Sequence, residues 1–442
     1  KNTKKKKKKK SRLKDNQILV ASELSPADLL SHAKSKISGL VSVLGGPEGH
    51  FAIVARSLSI PTIVGVKDLL KNIKNNEQIV LDGEKGLLIK NPTNQTINFY
   101  KKKIEEQKNR DKKLNYLKKI IPRTTDNVQI KIEANIDNSS EAKESMKIGI
   151  DGIGLFRSEY LFMNKKRMPS ENEQYDSLKK TLKYLKGKPL TIRTLDVGND
   201  KKVPSIDRYL TKSPNPALGL RAIRLTLAFP KIFKRQISAI LRASKYGNIR
   251  IMLPMVSNVS ELLEAKKLIS DVRNDLLSKK IKILEKHVDI GVLIETPAAA
   301  LISESIAKNC DFLAIGTNDL TMYTLAIDRG DEEVAKIYDP AHLSVLRLIK
   351  LSAESAKKVG VPISVCGEMA GDTMFTSLLL GMGIDRLSMS ISRILKVKQF
   401  IENVNYEEVK KISDEILNQD DSVRIKQILK SYYDKIYSVI NN

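Results

Sequence analysis

Two cysteines, Cys310 and Cys366, are all that 442 residues contain, too few for a disulfide framework and not spaced as a zinc site. Any role for them is therefore chemical. No apolar run approaches the roughly 18 residues that a membrane span needs, and the Lys-rich start is not followed by the apolar stretch of a secretory signal. These absences make a cytoplasmic globular protein the default expectation. A hydrophobic content of 41% is ordinary for such a protein, and the length leaves room for two or three domains with a sizeable core.

What is abundant is positive charge, a net +26, and its meaning depends on where it sits. Residues 1–14 carry ten of the Lys and Arg residues, including the unbroken run Lys4 to Lys10, which reads as a disordered tail. A second cluster, Lys101 to Lys119, mixes in acids at helical spacing and reads as a solvated helix. No basic stripe with interleaved aromatics accompanies the charge, so nucleic-acid binding is not expected.

After the tail, QILVASEL reads as a strand, and SPADLLSHA opens a helix with Ser25 as cap and Pro26 at its first position. ISGLVSVLGG and PTIVGV are short β-branched runs around a helical segment, and QIVLDGEKGLLIK is a hairpin turned by Asp82 to Gly86. This predicts a small α/β domain over 15–96. A connecting helix over 97–123 follows, inside the polar stretch Asn91 to Arg123. From 124 to 442, eight apolar runs alternate with helical patterns: QIKIEANI, GIGLF, LTIRTLDV, IRIMLP, DIGVLIE, FLAIG, PISVCG and RLSMS. That rhythm predicts a parallel (β/α)8 barrel, with a doubly wound open sheet as the alternative.

The polar residues favour the barrel, whose chemistry lies at the C-terminal ends of strands. Arg157 ends the second run in FRSE, Arg193 sits in TIRTLD, and Glu295 ends the fifth in ETP. Asn318 and Asp319 lie in GTNDL and Cys366 in SVCGEMAG, while Arg221 and Arg329 add guanidinium groups close by. Arginine in an apolar strand is costly to bury without a negative charge, and several converging arginines imply an anionic ligand bearing phosphate and carboxylate. The alternative for each is a barrel-end ion pair with an acid such as Glu159 or Asp196. Glu295 and Asp319 are oxygen donors of the kind Mg²⁺ takes.

Phosphoryl transfer also needs an in-line nucleophile. His50, in LGGPEGHFAIVARSL, follows a flexible turn of Gly45, Gly46 and Gly49 and opens a helix whose positive end would favour a phosphate on the imidazole. His32, His287 and His342 lack that setting and read as structural.

Together GIGLFRSEYLFMNKKRMPSENEQY, IRTLDVGNDK, NPALGLRAIR, ETPAAA and FLAIGTNDLTMYTLAIDRGD resemble Enzyme I, the phosphoenolpyruvate-protein phosphotransferase family that starts the bacterial sugar phosphotransferase system. The resemblance covers nearly everything after residue 15. It implies transfer from phosphoenolpyruvate to His50, release of pyruvate, and onward transfer to a histidine of the carrier HPr. It also implies that Arg157, Arg193 and Arg221 contact the phosphate, that Asn318 and Arg329 help hold the substrate, and that Glu295 and Asp319 bind Mg²⁺. Cys366 is implied as the acid that turns the enolate into pyruvate, a homodimer through the barrel is implied, and the small domain must swing about the stretch Asn91 to Arg123.

Three departures qualify these expectations. Glu48 and Gly49 stand where the family has a hydroxyl pair before the histidine, and Met322 stands where it often has Gln. The family's HPr-docking segment before the histidine domain is missing from the sequence, so the expectation is phosphoenolpyruvate binding with poor transfer to HPr. The rival readings are a pyruvate phosphate dikinase or phosphoenolpyruvate synthase relative, for which no nucleotide-grasping segment is evident, and a noncatalytic or regulatory remnant.

Overall fold

The computed structural model describes residues 17–23, 37–46, 51–52, 55, 60–163, 165, 167–198, 203–210, 215–328, 331 and 334–441. The helix expected at Ser25 and Pro26, with His32, lies outside these residues. The chain divides into two compact units, Lys1–Arg110 with Asp328–Ile337, and Asp111–Ile327 with Tyr338–Asn442.

In the first unit β1 (Gln17–Ala21), β2 (Ile37–Ser42) and β3 (Thr62–Ile63) form a parallel sheet in that order. Their apolar side chains give a small core around Val41, Ile63 and Leu69. β4 (Ile79–Asp82) and β5 (Leu87–Lys90) are the expected hairpin. Asp82 fastens its turn by accepting from the amides of Glu84 and Lys85, both at 3.1 Å. The basic cluster begins inside a 20-residue helix, Asn94–Lys113, and ends in a tighter turn, Leu114–Lys119, that buries Leu114 and Leu117.

The second unit is a closed barrel. β6 (Lys131–Ile136), β7 (Gly152–Arg157), β8 (Leu190–Arg193), β9 (Ile249–Leu253), β10 (Asp289–Ile294), β11 (Phe312–Ile315), β12 (Ile363–Val365) and β13 (Arg386–Ser390) run parallel in chain order. All eight runs expected to be strands are present. β13 pairs with β6 over five residue pairs, which closes the ring and rules out the open sheet.

The period of two along each strand sorts side chains between the helix layer and the barrel lumen. Ile132, Ala134 and Ile136 of β6 join the large core under the helices, as do Ile249, Ile251 and Leu253 of β9 and Ile290, Val292 and Ile294 of β10. The alternate positions, Glu133 and Asn135, Arg250 and Met252, Gly291 and Leu293, therefore face inward. Leu155, Met252, Leu293, Phe312, Ala314 and Cys366 make a separate small lumen cluster. In β7 this alternation is broken once. Ile153 pairs with Leu190 and Phe156 with Ile192, so three steps on β7 match two on β8. The extra residue returns Arg157 to the inward phase, directly opposite Arg193.

Helices around the barrel begin at strong local signals. Ser170 with Glu173 caps Glu171–Leu185, and Asn258 with Glu261 caps Val259–Ser278, each a reciprocal capping box. Toward the C-terminus, Ile391–Ile401 carries the fully buried Lys398. Its Nζ lies 3.2, 3.0, 3.3 and 2.7 Å from the carbonyl oxygens of Leu117, Ile120, Ile148 and Gly149. The approach of these loops requires glycine at 149, where φ is +72° and a Cβ would sit 1.8 Å from the Lys118 carbonyl oxygen. Three ammonium hydrogens thus serve four largely enclosed carbonyls. Replacing Lys398 by Met keeps the aliphatic stem and removes the donor, and is expected to lower unfolding free energy by about 2–4 kcal/mol. Urea unfolding measures this, and a change below about 0.5 kcal/mol would show the carbonyls to be satisfied otherwise.

Candidate active site at the barrel mouth

The inward residues at the C-terminal strand ends form a chain of alternating charge. Arg193, at the end of β8, pairs with Glu159 and, at 3.1 Å, with Asp196. Asp196 in turn accepts from Arg221 Nη2 at 2.8 Å and Nε at 3.2 Å. Arg221 Nη2 continues to Asp319 Oδ2 at 3.5 Å, and its Nη1 donates to the Tyr323 hydroxyl at 3.1 Å. Glu159, Arg193, Asp196, Arg221 and Asp319 are all buried. Beside this chain Arg157 Nη1 meets Asp137 Oδ1 at 3.2 Å. Burial opposes the charge of Arg157 and Arg193, but their carboxylate partners, Asp137 for one and Glu159 with Asp196 for the other, outweigh it and hold both guanidinium groups firmly protonated.

Two backbone residues near the chain adopt the left-handed conformation without being glycine. Ala222, with φ +51°, immediately follows Arg221, and Met255, with φ +58°, donates its amide to Glu295 Oε1 at 2.7 Å. Such conformations cost about 1–3 kcal/mol each, and both stand where a charged side chain is being aimed. Burial, then the negative charges of Asp319 and Asp196, push the Glu295 carboxyl up to about 8. The mouth thus holds a carboxyl group for which burial and neighbouring acids outweigh the opposing pull of Arg193 and Arg221.

Asn318 opens the helix Thr317–Thr324 after β11, and its Oδ1 accepts the Glu368 amide at 2.9 Å. This leaves its Nδ2 as the group it can offer a ligand. Arg193 Nε and Thr317 Oγ1 are buried without a hydrogen-bond partner among the described residues. Unspent donors in a mouth lined by arginines suit an anion.

Cys366 follows β12 and is buried. Its amide donates to the Ile315 carbonyl at 3.0 Å, and its Sγ lies 3.7 Å from the same oxygen. Burial pushes the thiol up to about 12, so at neutral pH it carries its proton. The next residue, Gly367, packs so closely that a Cβ would meet Thr317 Oγ1 at 2.0 Å and its amide nitrogen at 2.6 Å.

Of the residues singled out in the sequence, Arg157, Arg193, Arg221, Glu295, Asn318, Asp319 and Cys366 all lie on this end of the barrel. The ion pairs weighed as the alternative for the arginines are also present, with Glu159 and Asp196 as partners. His50, Glu48, Gly49 and Arg329 lie outside the described residues. Asp137, Asn135 and Tyr323 join them there without standing out in the sequence. Alternation within QIKIEANID offers a signal for the first two, because polar residues at every second position of an apolar strand share the lumen. His287 and His342 have structural partners: His287 Nε2 bonds Asp311 Oδ2 at 2.8 Å at the opposite barrel end, and His342 caps the helix Leu343–Val359. Asp289 completes a group with His287 and Asp311, but Asp311 Oδ2 also takes the Ile290 amide there.

Residues 111–406 match the family described as PEP-utilising enzyme, PEP-binding domain, and residues 13–86 match PEP-utilising enzyme, mobile domain. The chain is 36% identical over 425 residues to a phosphoenolpyruvate-protein phosphotransferase of Priestia megaterium, covering 96% of this chain and 73% of that protein. It is 40% identical over 405 residues to the enzyme of that name from Cupriavidus necator, covering 91% and 69%. For the one from Buchnera aphidicola the identity is 39% over 422 residues, covering 95% and 73%.

The packing at Gly367 generates a test. In a Cys310→Ser background, Gly367→Ala should displace the turn that shields Cys366 and cost about 1–3 kcal/mol of stability. A chromogenic thiol reagent should then modify Cys366 several-fold faster; an unchanged rate would mean that the turn accommodates the methyl group elsewhere.

Proposed function

We propose, for a chain that belongs to the PEP-utilising enzymes and among them to the phosphoenolpyruvate-protein phosphotransferases, that the barrel mouth binds phosphoenolpyruvate and His50 takes its phosphoryl group. The observation that carries this reading is the buried arginine cluster with donors to spare, set at the strand ends where barrel enzymes do chemistry. Arg157 and Arg193 grip the phosphoryl oxygens, with Arg221 contributing from its place between Asp196 and Asp319. Asn318, through Nδ2, and Arg329 hold the remainder of the substrate.

In the transfer, a lone pair of one His50 imidazole nitrogen forms the P–N bond as the bond from phosphorus to the enol oxygen breaks. The electron pair left on that oxygen becomes the carbonyl of pyruvate while C3 takes the proton of Cys366. Water then returns a proton to the thiolate. A thiol held up to about 12 is loaded for this task throughout the neutral range. Glu295 and Asp319 fit a divalent cation, being buried carboxyl oxygen donors that follow the neighbouring strands β10 and β11. Mg²⁺ bound there would neutralise charge on substrate oxygens.

Because donor and acceptor lie on different units, the histidine-bearing unit must move toward the barrel and away again, with the stretch Asn91 to Arg123 as the hinge. The onward acceptor in this reading is an HPr-type carrier, the assembly a homodimer through the barrel, and the compartment the cytoplasm. Among the described residues no helix is long and apolar enough to cross a membrane.

Incubation with phosphoryl-labelled phosphoenolpyruvate and Mg²⁺ tests the central claim. Acid-labile label should appear on the wild type and not on His50→Ala, and an unlabelled wild type would leave only a binding or regulatory role. A second expectation concerns protons. Glu295 is raised above its ordinary range, so near pH 7 it is mostly protonated, and a cation must displace that proton. Titration calorimetry in two buffers should find close to one proton released per Mg²⁺ at about pH 7 and far less at about pH 9. Release that does not change with pH would remove Glu295 from the ligand set.

A further inference from the structure

Below the arginine chain the lumen holds a second polar feature that no step above uses. Asn135, on β6, is buried and sits two strands from Cys366, with β13 between them. Its side chain crosses that gap. Nδ2 donates to the Cys366 carbonyl at 2.9 Å, while Oδ1 accepts from Ser388 Oγ at 2.6 Å. The orientation of the amide is forced, since a carbonyl can only accept and the atom facing it must be the nitrogen. Ser388 is completely buried on β13, so the acceptor side of the amide is fixed by packed structure.

The Cys366 peptide is consequently held at both ends. Its N–H is tied to β11 through Ile315, and its C=O is tied to β6 through Asn135. The next amide but one, Glu368 N–H, is tied to Asn318. With peptide planes fixed on either side of its Cα, the direction of Cα–Cβ is fixed too, and Sγ retains only rotation about that bond. A proton donor must meet one face of a planar carbon, and misplacement by about 1 Å can cost about 10²-fold.

We propose that Asn135, oriented by Ser388, is a positioning residue that aims the Cys366 thiol at one face of the substrate carbon during pyruvate formation. The proposal rests on the reading of Cys366 as the acid. It adds that stereochemical control lies in an amide clamp reaching from the opposite side of β13. The step itself is unchanged: the S–H bond breaks, a C–H bond forms at C3, the enolate electron pair becomes the carbonyl, and water reprotonates the thiolate. If the clamp is removed, enolpyruvate formed by phosphoryl transfer takes its proton from solvent on either face.

The test is a single turnover of the full chain with phosphoenolpyruvate stereospecifically deuterated at C3, in tritiated water, with the chirality of the pyruvate methyl group read out. Wild type should give one predominant configuration. Asn135→Leu, which keeps the branch at Cγ and has no polar side-chain atoms, should slow pyruvate formation about 10- to 100-fold. The phosphoenolpyruvate concentration for half-maximal rate should stay within about two-fold of wild type, and the product should be largely racemic. Ser388→Ala should shift the product in the same direction by a smaller amount, and it decides the matter if Asn135→Leu is not recovered folded. A merely structural role would lower the melting temperature and the rate but leave the product chiral, and that result overturns the proposal. Cys366→Ala separates the two ideas. If it still yields chiral pyruvate, the acid assignment fails, and the proposal with it. If it yields racemic product while Asn135→Leu and Ser388→Ala stay chiral, the acid stands and the clamp does not.

Discussion

Everything at the barrel mouth depends on one constraint: a guanidinium group cannot be buried alone. The desolvation of an ion amounts to several kcal/mol even after relaxation, and only a well-placed opposite charge offsets it. Here the solution is serial. Glu159, Arg193, Asp196, Arg221 and Asp319 alternate in sign, each interior member touching two neighbours. Removing one member exposes the next, so the positions of Arg193, on β8, and Asp319, in the helix after β11, are set together. Beside Asp319 stands Glu295, whose carboxyl is pushed up by burial and by the neighbouring acids in spite of Arg193 and Arg221.

The eight strands were legible because each is a short β-branched run between longer helical patterns, and burial on both sides of a barrel wall leaves few polar interruptions. Those interruptions then marked the site: Arg157, Arg193, Glu295 and Asp319 stand out against their apolar neighbours. Glu159 and Asp196 were also visible as potential counter-charges. What the sequence does not display is which acid meets which arginine, since Arg221 is 25 residues from Asp196 and 98 from Asp319. Nor does it display the bulge in β7, which is a property of its pairing with β6 and β8 rather than of one strand alone. Asn135 is inconspicuous for another reason. Its polarity fits an ordinary strand end, and its partners, 231 and 253 residues away, appear only when the ring closes.

The connection between the units shows the reverse case. The acids and lysines from Lys101 onward announced a solvated helix, and the helix Asn94–Lys113 is there. Its end was hidden, because what stops it is the burial of Leu114 and Leu117 and the capture of the Leu117 and Ile120 carbonyls by Lys398. A lysine nearly 280 residues downstream thus terminates an element whose start is set locally.

The extra residue in β7 works as a parity device. Strand pairing on either side of it is normal, yet the side chains beyond it are shifted by one place, and Arg157 enters the lumen only because of that shift. The barrel is often regarded as a set of interchangeable strand-and-helix modules. Here β6, β7 and β8 are not independently exchangeable, because a β7 with regular pairing would present Arg157 to the helix layer and Phe156 to the lumen. Recombination between relatives has its natural crossover points outside this trio.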